Sequence, residues 1–376
     1  MLIKTPPMGW NSWNTFAEKV NEEIVMQTAD IIIEKGYKDC GYEYVVIDDC
    51  WSLRERSEDG KLVPDPEKFP HGMKYVADYV HSKGLKFGMY SCAGVRTCAD
   101  YPGSYGHEYT DAKTFAEWGV DYLKYDFCHF PKSANCKNAY LTMGLALRAS
   151  GRDILFSACN WGVENPAAWM RSVGADMYRS TGDIFDNYKS MKDILLSQEE
   201  NFGGSAPGCF NDIDMLIVGM YGKGNVGVEG GCTDEEYKTH FAMWCMFGTP
   251  LMIGGDIRNM NEYCEKLMKN EMLIAINQDK ECRTPYRVQS NYWEECRVYI
   301  KILSDNRLAV ALVNMSDKES TVPFYFAEAG IPYSTNIGLE LTDVFTGENL
   351  GIKRDYFNVK LKEHDCAVYI AEMRQF

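Results

Sequence analysis

The stretch VDYLKYDFC (residues 120–128) has the apolar and aromatic composition of a buried β-strand, yet Lys124 and Asp126 lie in its middle. Buried charges are unfavourable unless they are paired or used in chemistry. Because successive side chains of a strand point to opposite faces, Lys124 and Asp126 share one face. Leu123 and Tyr125 share the other face. We therefore predict that the apolar face packs on helices and that the charged face points into the interior of a closed sheet.

In seven further short runs an apolar or aromatic segment is followed by Gly, Asp, Asn or Ser: MGWNSW (8–13), YVVIDDCW (44–51), LKFGMYSC (85–92), DILFSAC (153–159), DMYRSTGD (176–183), CFNDIDML (209–216) and PLMIGGD (250–256). Helical patterns lie between them, such as NEEIVMQTADIIIEKG (21–36), MKYVADYVHSKG (73–84) and DEEYKTHFAMWCMFG (234–248). Glycine at the end of each pattern is typical of a helix C-terminus. Eight strand and helix units in about 280 residues predict a (β/α)8 barrel.

From about residue 287 the pattern changes to short alternating or apolar runs separated by turn residues: CRVYIKILSD (296–305), LAVALVNMS (308–316), TVPFYFAEAG (321–330), LELTDVFTGE (339–348) and CAVYIAEM (366–373). Runs of this length without helical patterns favour a small antiparallel β-sandwich. We therefore divide the chain into a barrel of residues 1–285 and a C-terminal antiparallel β domain of residues 286–376.

The composition excludes several classes of function. The formal net charge of -15 and the lack of a Lys/Arg run argue against a nucleic-acid partner. No run approaches the length of a membrane-spanning helix. The six histidines form no cluster at metal spacing, so we expect neither a metal nor another cofactor. The oligomeric state stays open.

The start MLIKTPPMGW lacks the features of a signal peptide, which predicts a cytoplasmic protein, or a secreted one if this chain is a processed form. The 14 cysteines are spread over 376 residues without paired spacing, so we expect most of them to be free, buried thiols.

Carboxylates follow five of the eight predicted strands, where catalytic groups lie in a barrel of this kind. Any single one is more often a helix cap or a turn residue. The full set is Asp48, Asp49, Asp126, Asp183, Asp212, Asp214 and Asp256, accompanied by the aromatic residues Trp13, Trp51, Tyr90 and Trp161. Carboxylates and tryptophan faces together favour a sugar, and two carboxyl groups suffice for glycoside hydrolysis. A cation at Lys124 would lower the pKa of Asp126 and keep it ionised as a nucleophile, unless the two form a purely structural ion pair.

Seven motifs occur in the order seen in one family: PPMGWNSWN, GYEYVVIDDCW, YLKYDFC, CNWG, YRSTGDIFDNY, NDIDMLIVG and AINQD. They cover residues 6–279 and resemble those of glycoside hydrolase family 27, the retaining α-galactosidases and α-N-acetylgalactosaminidases. The resemblance implies a barrel, no cofactor, and a small-molecule or oligosaccharide substrate with a terminal α-galactose. It also implies double displacement through a covalent glycosyl-aspartate.

The resemblance assigns roles to individual residues. Asp126 matches the nucleophile and Asp183 the acid/base, so one site must keep one aspartate charged and the other protonated. The residues that match substrate contacts are Asp48 and Asp49 at the galactose 4- and 6-hydroxyls, Lys124 beside them, Arg179 near the 2-position, and Trp13, Tyr90, Trp161 and Asp214 in the pocket wall.

Two positions bear on the choice of sugar. Asn160 stands where many α-galactosidases have Glu and the N-acetylgalactosaminidases have Ser, and its amide could bond a 2-hydroxyl while filling the space of an acetamido group. Asp48 is shorter than the acid that a β-L-arabinopyranosidase of the same family prefers. Both favour galactose. The alternatives are α-N-acetylgalactosaminidase, β-L-arabinopyranosidase and, in a different class, a catalytically inactive carbohydrate-binding barrel.

The resemblance extends to the cysteines. Cys98 and Cys128 match a pair that is bonded close to the pocket in relatives. Cys50 and Cys159 match half-cystines whose partner positions fall near Glu18 and Ala175. Phe127 departs from the small or polar residue that is common at its position, and we expect its side chain to point away from the site.

Overall fold

An eight-stranded parallel sheet, ringed by helices, forms the N-terminal part of the protein. The computed structural model describes residues 2–201, 204–288, 295–333 and 335–375. The strands of this sheet are β1 Met8–Asn11, β2 Tyr44–Val46, β3 Lys86–Cys92, β4 Tyr122–Asp126, β5 Leu155–Cys159, β6 Met177–Arg179, β7 Phe210–Asp212 and β8 Leu251–Ile253. The helices are α1 Trp13–Phe16, α2 Glu22–Glu34, α3 Met73–Ser82, α4 Glu108–Trp118, α5 Cys136–Ala149, α6 Tyr188–Ser197, α7 Asp234–Phe247, α8 Glu262–Met268 and α9 Glu271–Asn277. Short 3-10 turns span Ala17–Lys19, Lys38–Cys40, Pro166–Ala168 and Met170–Val173.

The sheet closes into a barrel. Its strand order is β7-β6-β5-β4-β3-β2-β1-β8, with every neighbouring pair parallel. Leu216, just beyond β7, forms a parallel bridge with Ile253 of β8 and completes the ring. The predicted (β/α)8 barrel is thus confirmed, and every predicted strand contains an observed one.

The alternation of strand side chains separates two apolar layers. Leu123 and Tyr125 belong to the large core between the sheet and its helices, as the sequence predicts. The barrel interior is filled by a second cluster, which contains Tyr44, Val46, Tyr122, Leu155, Met177, Phe210, Met215, Met252 and Cys282. Bulky side chains inside a barrel leave no pore, so polar groups face solvent only beyond the strand ends.

The helix boundaries follow ordinary capping rules. The Asn21 side chain accepts a hydrogen bond from Ile24 N at the start of α2, and Thr233 and Glu236 form a capping box at the start of α7. Gly248 ends α7 in the left-handed conformation, with φ 64°. No helix in the described part of the chain is long and apolar enough to cross a membrane.

The C-terminal part is a sandwich of two antiparallel sheets. One contains, in spatial order, β14 (Asn349–Lys353), β13 (Ile337–Asp343), β16 (Cys366–Gln375), β11 (Leu308–Asn314), β10 (Cys296–Ile302) and β9 (Tyr286–Arg287). The other pairs β12 (Ser320–Tyr325) with β15 (Tyr356–Leu361), and a 3-10 turn, Phe326–Ala329, follows β12. A shared apolar core joins them, and this confirms the predicted sandwich.

Polar contacts fix this sandwich to the barrel. The Glu199 carboxylate, just after α6, accepts hydrogen bonds from Arg287, Arg297 and Tyr299 at 3.2, 3.0 and 2.6 Å. His364 stacks on Tyr188 of α6, with ring centroids 3.5 Å apart. These contacts tie both ends of α6 to the sandwich.

Lys301 of β10 is an unfavourable feature of the fold. It is fully buried, and its ammonium nitrogen has no hydrogen-bond partner among the described residues. Burial lowers the pKa of Lys301 to about 8, although Cys245 and Asp279 oppose the shift. Below pH 8 both the folded and the unfolded chain hold the proton, and the folded chain bears the full penalty. From pH 8 to about 10.4 only the unfolded chain holds it, so the penalty fades as pH rises.

We therefore expect Lys301→Met to stabilise the protein at pH 7 by about 3 kcal/mol, which raises Tm by about 5 °C. Thermal unfolding at pH 7 and pH 10 measures this, and the gain should shrink at the higher pH. The control is Lys318→Met in the same domain, where the side chain is exposed. A loss of stability in Lys301→Met would contradict the assignment.

Candidate active site

A cavity opens at the carboxyl ends of the barrel strands, with an empty volume of about 430 Å³ that includes its opening to solvent. Eleven of the predicted site residues line it: Trp13, Asp48, Asp49, Tyr90, Cys98, Lys124, Asp126, Trp161, Arg179, Asp183 and Asp214. A wider cleft near α5, lined by residues such as Arg148 and Asp176, contains none of the predicted site residues. We therefore place the site at the strand ends.

Asp126 is the last residue of β4 and is buried in the cavity wall, 6% exposed. One carboxylate oxygen accepts a hydrogen bond from the Tyr90 hydroxyl at 3.2 Å, and the other accepts from Phe127 N at 2.9 Å. Burial raises the pKa of the Asp126 carboxyl, while Lys124 and the Phe127 N–H oppose that shift. Two donors thus fix the carboxylate in one orientation.

Lys124 lowers the pKa of Asp126 as predicted, but burial raises that pKa by more, so the net shift is upward. Its ammonium group bonds Asp48 Oδ2 at 2.8 Å instead of Asp126. The charge of Lys124 still favours ionised Asp126, but the effect of burial is larger. Lys124 thus serves two carboxylates, one by contact and one at longer range.

Asp48 and Asp49 follow β2 and are held by neighbouring strands. Asp48 Oδ2 also accepts from the Asn11 amide at 2.7 Å, and the Asn11 carbonyl accepts from Trp13 N at 2.9 Å. Asp49 accepts from Cys50 N at 2.7 Å and from Ala99 N at 3.0 Å. Burial raises the pKa of Asp49 to about 6, although its hydrogen bonds oppose the shift.

Arg179 connects the two remaining carboxylates. Its guanidinium group bonds Asp183 at 2.8 Å and Asp214 at 2.6 Å. Asp214 also accepts from Ile184 N and Met215 N, and burial raises its pKa to about 6. The Asp183 side chain is 61% exposed, whereas that of Asp214 is 4% exposed. Of the two carboxylates, Asp183 is the one that solvent and a leaving group can reach.

Cys98 and Cys128 form a disulfide, with their α-carbons 5.1 Å apart. Cys98 lines the cavity, and its sulfur lies 3.7 Å from Asp126 Oδ2. Cys128 is buried behind it and does not line the cavity. Cys50 and Cys159 are free and buried, so the pairings near Glu18 and Ala175 are absent from the described structure.

Asn160 is not brought into the cavity wall. It is fully buried, its amide nitrogen donates to Val163 O at 2.6 Å, and its carbonyl oxygen is inaccessible. The next residue, Trp161, has a left-handed backbone with φ 55° and lines the cavity in its place. The predicted contact between Asn160 and a 2-hydroxyl therefore has no support in this placement.

Phe127 points away from the cavity, as predicted. Its ring stacks on Phe130 with centroids 4.6 Å apart and meets Trp161 edge-on at 6.1 Å. It also lies 6.2 Å from the Tyr140 ring. Phe127 therefore supports the cavity wall from outside through Trp161.

Sequence reasoning missed four residues of the site. Asn14, Met215 and Val226 line the cavity, and Asn11 orients Asp48. Asn11 and Asn14 stand in the quoted motif PPMGWNSWN, so the signal was present in the sequence. Val226 comes from a loop without a pattern of its own.

One group of potential metal ligands occurs among the described residues, formed by Cys98, Asp126 and Cys128. The two sulfurs are bonded to each other, so this group does not offer three free ligands.

Both parts of the chain match models of known protein families. A family model described as "Alpha galactosidase A" matches residues 5–279, and one described as "Alpha galactosidase C-terminal beta sandwich domain" matches residues 294–371. The chain belongs to the α-galactosidase family. It is therefore a glycoside hydrolase of the melibiase type.

Relatives of known name agree over the whole chain. An α-galactosidase of Cyamopsis tetragonoloba is 42% identical over 99% of this chain and 87% of its own length. The crystal structure of α-galactosidase I from Mortierella vinacea has a TM-score of 0.90 at 30% identity, covering 98% of this chain and 97% of that one. An α-galactosidase of Saccharomyces cerevisiae with raffinose has a TM-score of 0.89 at 28% identity, covering 99% of this chain and 98% of that one.

Proposed function

We propose that this α-galactosidase family member removes terminal α-D-galactosyl residues from galactosides with retention of configuration. The observation that carries the proposal is the pair of differently placed carboxylates, Asp126 buried in the cavity wall and Asp183 exposed at its mouth. A nucleophile must be shielded and oriented, whereas a proton donor must reach the leaving oxygen and then water.

The proposed chemistry has two steps. The Asp126 carboxylate attacks the anomeric carbon while Asp183 donates its proton to the glycosidic oxygen, and the bond from that oxygen to the anomeric carbon breaks. Asp183 then takes a proton from water, which attacks the same carbon and displaces Asp126. Both steps proceed with two carboxyl groups and water, so the proposal needs no cofactor.

The sugar is held by the remaining polar groups of the cavity in this proposal. Asp48, fixed by Asn11 and Lys124, and Asp49 accept hydrogen bonds from galactose hydroxyls. One guanidinium nitrogen of Arg179 donates to both Asp183 and Asp214, and this positions Asp183, the proton donor. Trp13 and Trp161 supply apolar faces for the ring.

The choice of sugar rests on the named relatives, because Asn160 lies outside the cavity. A parallel assay on aryl α-galactoside, aryl α-N-acetylgalactosaminide and aryl β-L-arabinopyranoside tests it. We expect kcat/KM to be highest on the galactoside. A higher value on either of the other two would assign that activity instead, and no turnover of any would leave a binding protein.

Replacement of Lys124 tests its electrostatic role. Ionised Asp126 is required for attack, and its raised pKa places the acid limb of kcat/KM above the pH of an ordinary aspartate. Lys124→Met removes a charge that opposes this shift, so we expect the acid limb to move to higher pH. Profiles on an aryl α-galactoside measure the shift. Lys113→Met, at an exposed helical position, is the control. If the acid limb of the kcat/KM profile stayed at the same pH, an electrostatic effect of Lys124 on Asp126 would be excluded.

Two further assignments belong to the proposal. The domain boundary at residues 285 and 286 is supported by β9, which begins at Tyr286 and pairs with β10. A cytoplasmic location stays a prediction, supported by twelve free cysteines.

A further inference from the structure

A loop after β7 forms part of the wall of the catalytic cavity. We call residues 219–232 the mouth loop. Its residue Val226 lines the cavity, and Val226 N donates to the backbone oxygen of Asn14, another lining residue, at 3.1 Å. Six residues of the loop are glycine, and five of these have positive φ. Glycine loses more backbone freedom on folding than any other residue, so this loop needs contacts outside itself to keep one conformation.

The carboxylate of Asp186 binds the mouth loop near both of its ends. Asp186 Oδ2 accepts a hydrogen bond from Gly222 N at 2.6 Å, and Oδ1 accepts from Cys232 N at 3.3 Å. The Tyr237 hydroxyl, from α7, lies 2.9 and 3.1 Å from the two oxygens. Asp186 is fully buried, so the loss of any of these donors would leave part of a desolvated carboxylate unpaired.

The backbone of Asp186 holds the middle of the same loop. Asp186 N donates to Val226 O at 3.0 Å, and Asp186 forms a parallel bridge with Gly227. The lining residue Val226 is thus held through its carbonyl group by Asp186 and through its N–H group by Asn14. The conformation of the mouth loop therefore depends on Asp186 at its middle as well as near its ends.

Asp186 also belongs to the segment that carries the proposed proton donor. Along residues 183–186 the side chains alternate, with Asp183 and Phe185 exposed and Ile184 and Asp186 buried. Ile184 N donates to the Asp214 carboxylate at 2.7 Å, and Asp186 is held by the mouth loop. The two buried residues therefore anchor the backbone from which the Asp183 side chain projects.

The contact of Asp183 with Arg179 does not replace these anchors. The Asp183 side chain is 61% exposed, and an ion pair with an exposed carboxylate contributes little because water competes for both groups. A proton donor must lie within hydrogen-bond reach of the leaving oxygen, and a displacement of about 1 Å can lower the rate by about 10²-fold. The backbone of residues 183–186 therefore sets the position of the donor.

We propose that Asp186 is a positioning residue, which holds the proton donor Asp183 and the mouth loop in one fixed relative placement. Asp186 does not itself line the cavity. The inference rests on the proposed function, because it deepens the role given there to Asp183. Its consequence is selective. A displaced donor slows the hydrolysis of those galactosides whose leaving group needs a proton and spares those whose leaving group does not.

The test compares phenyl α-galactoside with dinitrophenyl α-galactoside, because phenolate needs a proton as it leaves and dinitrophenolate does not. Asp186→Asn keeps the size of the side chain but turns an amino group toward one of its donors. Tyr237→Phe keeps the ring and removes the hydroxyl. In both variants we expect kcat/KM for the phenyl substrate to fall about tenfold, the effect of losing one hydrogen bond, and the dinitrophenyl value to stay within about threefold.

The chain contains a matched control pair. The Tyr79 hydroxyl of α3 lies 2.9 and 2.8 Å from the two carboxylate oxygens of Asp30 in α2, which is the same kind of contact outside the cavity. Asp30→Asn and Tyr79→Phe should leave kcat/KM unchanged for both substrates. Thermal unfolding of all four variants reports their stability separately from their activity.

The ratio of the two activities separates positioning from stability. A variant that only lowers the amount of folded protein reduces both activities equally. If neither Asp186→Asn nor Tyr237→Phe changes the ratio, the positioning role is overturned, and Tyr237→Phe alone decides if Asp186→Asn does not fold. Equal losses on the two aryl substrates in Asp183→Ala would instead remove the proton donor of the proposed function, so the two failures are distinguishable.

Discussion

Asp126→Asn abolishes turnover of an aryl α-galactoside, with an expected loss in kcat of about 10⁴-fold or more. An amide cannot attack the anomeric carbon, and no other carboxylate in the cavity is bonded by both Tyr90 and a backbone N–H at the end of β4. The substitution keeps the size of the side chain and can keep both contacts. Circular dichroism and thermal unfolding should therefore show an intact fold.

A chemical rescue makes this prediction specific. Asp126→Gly leaves space where the carboxylate lies, and added azide can attack from that side and displace an aryl group to give β-galactosyl azide. The control is Asp176→Asn, a half-buried aspartate whose carboxylate accepts from Phe156 N at 2.9 Å at the opposite end of the barrel. It should leave activity unchanged. Undiminished activity in Asp126→Asn removes this residue as the nucleophile.

Asp183→Ala has the second-largest expected effect, and the effect depends on the leaving group. A sugar alcohol needs a proton as it leaves, so kcat/KM for raffinose should fall by about 10²- to 10⁴-fold. A dinitrophenolate leaves without a proton, so kcat/KM for dinitrophenyl α-galactoside should fall much less. Parallel steady-state assays of the two substrates give the comparison.

The chain offers a close control for Asp183. Asp193 is 58% exposed, against 61% for Asp183, and each pairs with a cation four residues earlier, Lys189 and Arg179 respectively. Asp193→Ala should therefore alter neither substrate. Equal losses on raffinose and on the dinitrophenyl galactoside in Asp183→Ala would count against a proton-donating role.

The barrel could be predicted from sequence because each strand ends in polar or turn residues after an apolar run. Two strands of the sandwich, β14 and β15, were missed. Residues 349–353 and 356–361 are mostly exposed or half-buried, so they lack the apolar run that marked the others. The two-residue strand β9 is too short to give any pattern.

The sequence predicts on which face of a strand a site residue lies, but it does not predict which other residue its side chain contacts. Alternation correctly put Lys124 and Asp126 on the inner face of β4, yet it could not show that Asp48, which follows β2, accepts a hydrogen bond from the lysine at 2.8 Å. Asn160 was misplaced for a related reason. The positive φ at Trp161 reverses the chain after β5, and a motif does not reveal which of two adjacent side chains then faces the cavity.

The filled barrel interior has a consequence for the catalytic cycle. Tyr44, Tyr122 and Met177 close the floor beneath the cavity, so galactose cannot pass through the barrel. The leaving group must depart first, and galactose then leaves by the opening through which the substrate entered. Free galactose therefore competes with each new substrate for that opening, and its accumulation slows the enzyme as competitive product inhibition.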